Sequence, residues 1–337
     1  MTRGPRAPAA PLPAPAVVGA YVVGAALLAS AAPLLAYAGS LALFGAPHAL
    51  AELRYVDGRF GARLGRGRGR AIVAVLLGVV ALRALVLADR APALDAYVLE
   101  LGLVALLAFA MVPALAARPG RAAVAVGVGA AIATGSLVAP LATIVVLAVL
   151  HNATPVGFLA DRDDVRRRAM PACAAAFVAV PLLIASGVVG RSLEGLGLAA
   201  ADLGPSSAGA LDDHLRVFVL PVWLETPAAR SIFAAGAYLQ LLHYGLVLGV
   251  LPRLLTTGPA ATDAPVLPWP RTAVLVAAIA AVGLAFALAF GRAFVPTRAA
   301  YGLLASVHAW IEVPVLLLAL GVRPTTPGPR VPEAPTA

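Results

Sequence analysis

The chain's 337 residues are 61% hydrophobic and only 12% charged, with a mean hydropathy of +0.93. A water-soluble domain carries about 25% charged residues and must cover its outside with polar groups, so this composition excludes the soluble globular classes. The formal net charge of +9 comes from arginine alone, with no lysine; the excess lies in short segments between apolar runs, where it sets membrane orientation and makes no case for nucleic acid.

Residues 1–15, MTRGPRAPAAPLPAP, and 322–337 are Pro-rich and read as disordered tails around one transmembrane domain, 16–321. The runs Ala16–Ala36, Ala71–Ala88, Ala93–Ala117 and Thr272–Phe290 approach or exceed the ~20 residues that cross ~30 Å of hydrocarbon. In chain order the predicted helices are 16–36, 38–56, 70–89, 93–117, 121–137, 139–160, 169–190, 229–251, 272–291 and 298–321. The fold class is therefore all-α, a polytopic bundle of about ten transmembrane helices. Gly45 and Pro47 interrupt the second helix, which is expected to bend or break there. The first run is of full membrane length and does not read as a cleavable signal. The single cysteine, Cys173, rules out an internal disulfide.

Arginines set the sidedness. Arg54, Arg59, Arg63, Arg66, Arg68 and Arg70 follow the second helix, Arg118 and Arg121 the fourth, and Arg162, Arg166, Arg167 and Arg168 the sixth. Ten spans put these segments and both tails on one side, which the positive-inside rule makes the cytoplasmic side of a bacterial-type plasma membrane. The longest loop, 191–228, carries Glu194, Asp202, Asp212, Asp213 and Glu225 and falls outside. Gly61–Arg70 reads as a solvated or headgroup-facing loop, and Ala160–Arg168 as a solvated loop more than a magnesium-diphosphate motif. Arg83 and Glu100, in the outer halves of neighbouring helices, are expected to pair or to snorkel. No internal repeat, nucleotide-binding glycine motif or CxxC is present.

Four of the five histidines fall inside predicted membrane helices: His48, His151, His243 and His308. The fifth, His214, lies beside Asp212 and Asp213 in the external loop and is expected to be solvated. An ionisable group in hydrocarbon is costly and faces the bundle interior or a polar cavity. All four histidines occupy even-numbered helices at compatible depths, so they can share one site. Glu52 and Glu312 follow His48 and His308 by four residues, which places each pair on one helix face. Imidazole and carboxylate together suit iron, zinc or manganese, and a carboxylate can instead orient an imidazole through its other nitrogen. Asn152, Gln240, Tyr244 and Tyr55 flank these positions as candidate hydrogen-bond partners. A proton or ion pathway, and unconnected polar contacts between helices, stand as alternatives.

The segment FGAPHALAELRY resembles the GxPHGxxDH signature of the Brp/Blh family of membrane carotene dioxygenases. Gly45, Pro47 and His48 match it, Glu52 stands where that family has Asp, and Ala49 and Leu53 replace a glycine and a histidine. SVHAWIEVP around His308 is similar to the family's late PH-containing helix, with Val307 in place of proline. That family's paired HxxxH helix has no counterpart, since Val247 follows His243 by four. The resemblance implies a bundle whose histidines bind a non-haem iron that cleaves carotene with dioxygen.

These readings converge on a metal-dependent membrane oxygenase acting on a lipophilic small molecule, with carotenoid cleavage as the resemblance implies. His48, His151, His243 and His308 are the candidate metal ligands, and Glu52, Glu312 and Tyr244 the candidate catalytic residues. The expected metal is Fe(II), with Zn or Cu as alternatives, and the partners are membrane lipid and the lipophilic substrate. A proton- or ion-coupled transporter is the competing reading. A non-catalytic haem protein follows it, and a zinc hydrolase ranks last for want of an HExxH motif. The oligomeric state is left open.

Overall fold

The computed structural model describes residues 13–161, 163–255, 267 and 269–321, with backbone alone for 163–168. Apart from residues 13–15, the two Pro-rich tails lie outside the described residues. Regular structure among the described residues is entirely helical. In chain order it comprises α1 (Pro15–Ala31), α2 (Ser40–Leu64), α3 (Arg66–Leu87), α4 (Ala93–Phe109), α5 (Val112–Leu115), α6 (Pro119–Val138), α7 (Pro140–His151), α8 (Thr154–Ala160) and α9 (Asp163–Ala174). There follow α10 (Val180–Ala185), α11 (Val188–Gly195), α12 (Leu211–Phe218), α13 (Pro221–Leu224), α14 (Ala228–Gly249), α15 (Leu251–Leu255), α16 (Thr272–Arg292) and α17 (Phe294–Gly321). Prolines open α1, α6 and α7, where a missing N–H costs no intrahelical bond.

Six of these spans are long and apolar enough to cross a membrane: α3, α4 with α5, α6, α14 with α15, α16 and α17. Two bent pairs raise the number to eight, namely α7–α8, bent by 46°, and Ala169–Ala185 with α11, bent by 60°. The chain is a multi-pass membrane protein. Length and hydropathy thus support six to eight spans among the described residues, against the ten read from sequence. The difference lies in α1, which is only 17 residues long, and in α2, whose second half carries Glu52, Arg54, Asp57, Arg59 and Arg63.

Three local expectations are corrected. Gly45 and Pro47 do not break the second helix: α2 runs through them, and the irregularity falls earlier, in a π-helical stretch at Leu35–Gly39. Tyr301 covers the weak point, its ring 3.4 Å from where a Gly45 Cβ would sit and its hydroxyl donating to the Gly45 carbonyl at 3.2 Å. The Gly61–Arg70 tract is not a loop. α2 ends at Leu64, Gly65 turns the chain at φ +74°, a conformation that favours glycine, and α3 begins at Arg66. Residues 163–168, read as a solvated loop, have a helical backbone in α9; Arg162 and the side chains of 163–168 lie outside the described residues.

The helix ends sort into two groups. At one end Arg59 and Arg63 of α2 clamp Asp161 at the end of α8 (2.8 and 3.2 Å), and Arg63 also donates to the Leu318 carbonyl of α17. Trp269, just before α16, donates to Asp57 of α2 at 2.8 Å. At the other end, the segment 191–228 caps the bundle. The Ala200 amide bonds the Ala31 carbonyl of α1 at 2.7 Å, and Ser207 Oγ bonds the Phe290 carbonyl of α16 at 2.7 Å.

That cap overturns the reading of His214 as solvated. It is 3% exposed, donates through Nε2 to the Ala208 carbonyl at 2.9 Å, and packs against Tyr37, Phe233 and Phe294. Leu211, His214, Leu215 and Phe218 recur at helical spacing and make one inward face of α12. Burial holds the His214 imidazole below the ordinary histidine value.

Two apolar clusters form the core. One holds Phe60, Phe158, Leu254 and Val315, the other Leu41, Phe233, Tyr238 and Phe294. Along α2, α14 and α17 the chain passes from one cluster to the other at His48, His243 and His308. The polar site is held between two apolar plugs.

Candidate metal centre

Four helices supply the four histidines: α2 gives His48, α7 gives His151, α14 gives His243 and α17 gives His308. One ring nitrogen from each lies within 4.8 Å of all the others. His48 Nε2 and His308 Nε2 are 3.0 Å apart, and the rings of His151 and His243 have centroids 4.6 Å apart. The sequence-predicted ligands are thus brought to one place. His48, His243 and His308 are fully buried, and His151 is partly so.

Each carboxylate lies beside a histidine from a different helix. Glu312 Oε2 is 2.5 Å from Nδ1 of His151, and Glu52 Oε2 is 3.3 Å from Nε2 of His243. Thr154 Oγ1 lies 2.7 Å from Glu312 Oε1 and 2.7 Å from the His151 carbonyl. Thr154 was absent from the sequence reading; its place three residues after His151 was the available signal. The α7–α8 bend falls between these two residues, at Asn152–Ala153, and sets both against Glu312.

The backbone fixes one tautomer. His48 Nδ1–H donates to the Phe44 carbonyl at 3.0 Å, one turn back, so Nε2 is left with a lone pair facing the cluster. His151 Nδ1–H donating to Glu312 does the same for His151 Nε2. Tyr244 lies against His48, ring centroids 4.2 Å apart. Asn152 and Gln240, expected as partners, turn elsewhere: Asn152 bonds the Ala148 carbonyl, and Gln240 bonds the Tyr37 carbonyl and Ser40. Tyr55 packs among Phe60 and Phe158, one turn beyond the cluster.

The donor set fits a cation. At metal–nitrogen distances of about 2.1 Å, neighbouring ligands of one ion stand about 3 Å apart, the spacing of His48 and His308. Both oxygens of Glu52, both ring nitrogens of His243 and Nδ1 of His308 are buried without a hydrogen bond. Buried charge without a partner is strongly unfavourable. A divalent ion would offset carboxylate charge and take one ring nitrogen from each histidine, leaving the other nitrogen of each ring as an N–H donor. The four histidines and the acidic residues beside them could hold a metal ion.

A cavity of about 860 Å³ opens on this cluster, its walls drawn from α4, α7, α10, α14 and α17. His48, His151, His308 and Tyr244 line it, whereas His243, Glu52 and Glu312 do not. The histidines therefore present one side to an apolar space, and the carboxylates stand behind them. Further along the wall, Arg83 and Glu100 pair as expected, with Arg83 Nη2 2.7 Å from Glu100 Oε1. Trp310 Nε1 donates to the same oxygen at 2.6 Å, and Arg83 donates to the Gly302 carbonyl at 3.1 Å.

No protein-family model, curated protein or solved structure matches this chain.

Proposed function

We propose that this chain is a membrane-embedded metalloenzyme, a non-haem iron oxygenase acting on a lipophilic substrate. The observation that carries the reading is the convergence of four histidines from four helices, three of them on the wall of a largely apolar cavity. His48, His151, His243 and His308 would hold the metal. Iron bound there would supply dioxygen binding and activation at positions open to the cavity.

The remaining work falls to the chain itself. Apolar side chains of α7, α10 and α14 receive the substrate and keep water from the reacting end. Phe44 and Glu312 hold the rings of His48 and His151 in the tautomer that leaves Nε2 unprotonated. Tyr244, packed against His48 and facing the cavity, positions the substrate against the cluster. The resemblance around His48 and His308 supports a conjugated polyene, as in carotenoids, as the apolar part of the substrate. The arginines at the Arg59–Asp161 end of the bundle favour a cytoplasmic side there, with both termini on that side, in a bacterial-type plasma membrane. A C-terminal fluorescent-protein fusion would then be bright and a C-terminal alkaline phosphatase fusion silent.

A proton- or ion-coupled transporter is the second reading, favoured by the two bent spans, since transporters often bind their cargo at broken helices. Dioxygen uptake by detergent-purified protein, reconstituted anaerobically with Fe(II) and given carotenoids or acyl chains, tests the first reading. Consumption of dioxygen matched by an oxygenated product supports it. No uptake, with proton flux in liposomes lost in His308→Ala, would establish the transporter.

A further inference from the structure

The cavity has a second end. Its lining includes Arg298 and Val295 near the start of α17, Tyr37 before α2, and Phe218 in the cap. Arg298 and His308 are ten residues apart on one helix, about 15 Å at 1.5 Å per residue. The space is therefore long and apolar, with imidazoles at one end and a guanidinium at the other.

The two arginines on this wall differ. Arg83 is neutralised by Glu100 and has further donors engaged. Arg298 has no carboxylate within ion-pair distance among the described residues. Its contacts are a 3.5 Å hydrogen bond to the Tyr37 hydroxyl and a position 5.8 Å from the centre of the Phe218 ring. Arginine carries five N–H donors in a fork suited to oxyanions, so most of that capacity is unused by the protein. A pure hydrocarbon would cover a charged group and gain nothing from it, whereas an oxyanion there would satisfy the charge.

We infer that the substrate is an amphiphile, a single apolar chain whose oxyanion head is held by Arg298 while the chain reaches the histidine cluster. The inference rests on the proposed reading of this cavity as the substrate site. It makes Arg298 the ruler that sets which position along the chain reacts, about 15 Å from the head.

The test uses cis-parinaric acid, a fluorescent polyene fatty acid, and its methyl ester, titrated into the full chain in detergent. Trp310 lines the cavity and serves as the energy-transfer donor. The acid is expected to bind at least tenfold more tightly than the ester in the native chain. Arg298→Gln brings the acid down to the ester's affinity, and Arg298→Lys recovers part of the difference. Displacement by oleate or by geranylgeranyl phosphate identifies the head as carboxylate or phosphate, and displacement by neither overturns the inference. Equal binding of acid and ester by the native chain also overturns it, whether or not the variants fold. The titration is repeated after chelation. Preference for the acid in a chain that never binds metal would keep the inference and remove the oxygenase reading, and metal binding without that preference would do the reverse.

Discussion

Glu312→Gln probes how the site is held together, because a single carboxylate touches two other helices. Its Oε2 accepts from His151 Nδ1 at 2.5 Å and its Oε1 lies 2.7 Å from the Thr154 hydroxyl. A hydrogen bond to a charged group is worth about 1.5–3 kcal/mol and a neutral one about 1 kcal/mol. An amide of the same shape keeps the neutral bonds, so the net loss is about 1–2 kcal/mol. At 1.4 kcal/mol per tenfold, metal affinity falls about 5- to 30-fold, in line with the loss seen when groups that orient ligating imidazoles are removed. Thr154→Val removes the single hydroxyl donor beside Glu312 Oε1 but leaves the His151 bond in place, and is expected to cost less than Glu312→Gln. The assay is competition against a chelator of known affinity, with Fe(II) or Zn(II) as the probe. Glu312→Gln within threefold of the native chain would refute the reasoning, since the carboxylate would then orient nothing.

Other consequences are structural. Glu100→Ala leaves Arg83 and Trp310 Nε1 without their common acceptor and is expected to cost about 3–5 kcal/mol, read as earlier thermal unfolding in detergent. Gly283→Ala sets a methyl group 2.7 Å from Cγ of Pro47, a rigid ring one residue before His48. It is expected to cost about 1–3 kcal/mol by overpacking and to weaken metal binding at the same time. His214 is buried with its pKa depressed, so its contribution is intact above the ordinary value of 6.5 and is lost as pH falls below it. Protection factors of the amides over 206–218, taken relative to the intrinsic exchange rate at each pH, should fall as pH drops from 7 to 5, and His214→Phe should flatten that dependence.

Much of this architecture is written in local pattern. Long apolar runs such as Thr272–Phe290 cannot be anything but buried or lipid-facing helix, and α16 follows that run closely. Histidines surrounded by Leu and Val have nowhere to go but inward, which is why His48, His151, His243 and His308 could be grouped before any geometry was known. The pairings were not legible. Four-residue spacing puts Glu52 on the face of His48 and Glu312 on that of His308, but their closest ring partners, His243 and His151, come from other helices. Such contacts depend on crossing angles and on the 46° bend after His151, which no single segment encodes. His214 was misread because its neighbours Asp212 and Asp213 are charged, although Leu211, Leu215 and Phe218 mark the same face as apolar. The arginines after α2 were read as a loop because charge suggests solvent, yet a helix reaching the headgroup region carries charge without ending.

The account's central claim is one shared metal site, and elemental analysis tests it most directly. The native chain is compared, after purification in detergent and after anaerobic loading with iron, with His48→Ala, His151→Ala, His243→Ala and His308→Ala. About one iron per native chain, lost or sharply reduced in each folded variant, is the expected result. A native chain that holds no metal under either condition, or variants that keep the full native complement, would contradict it.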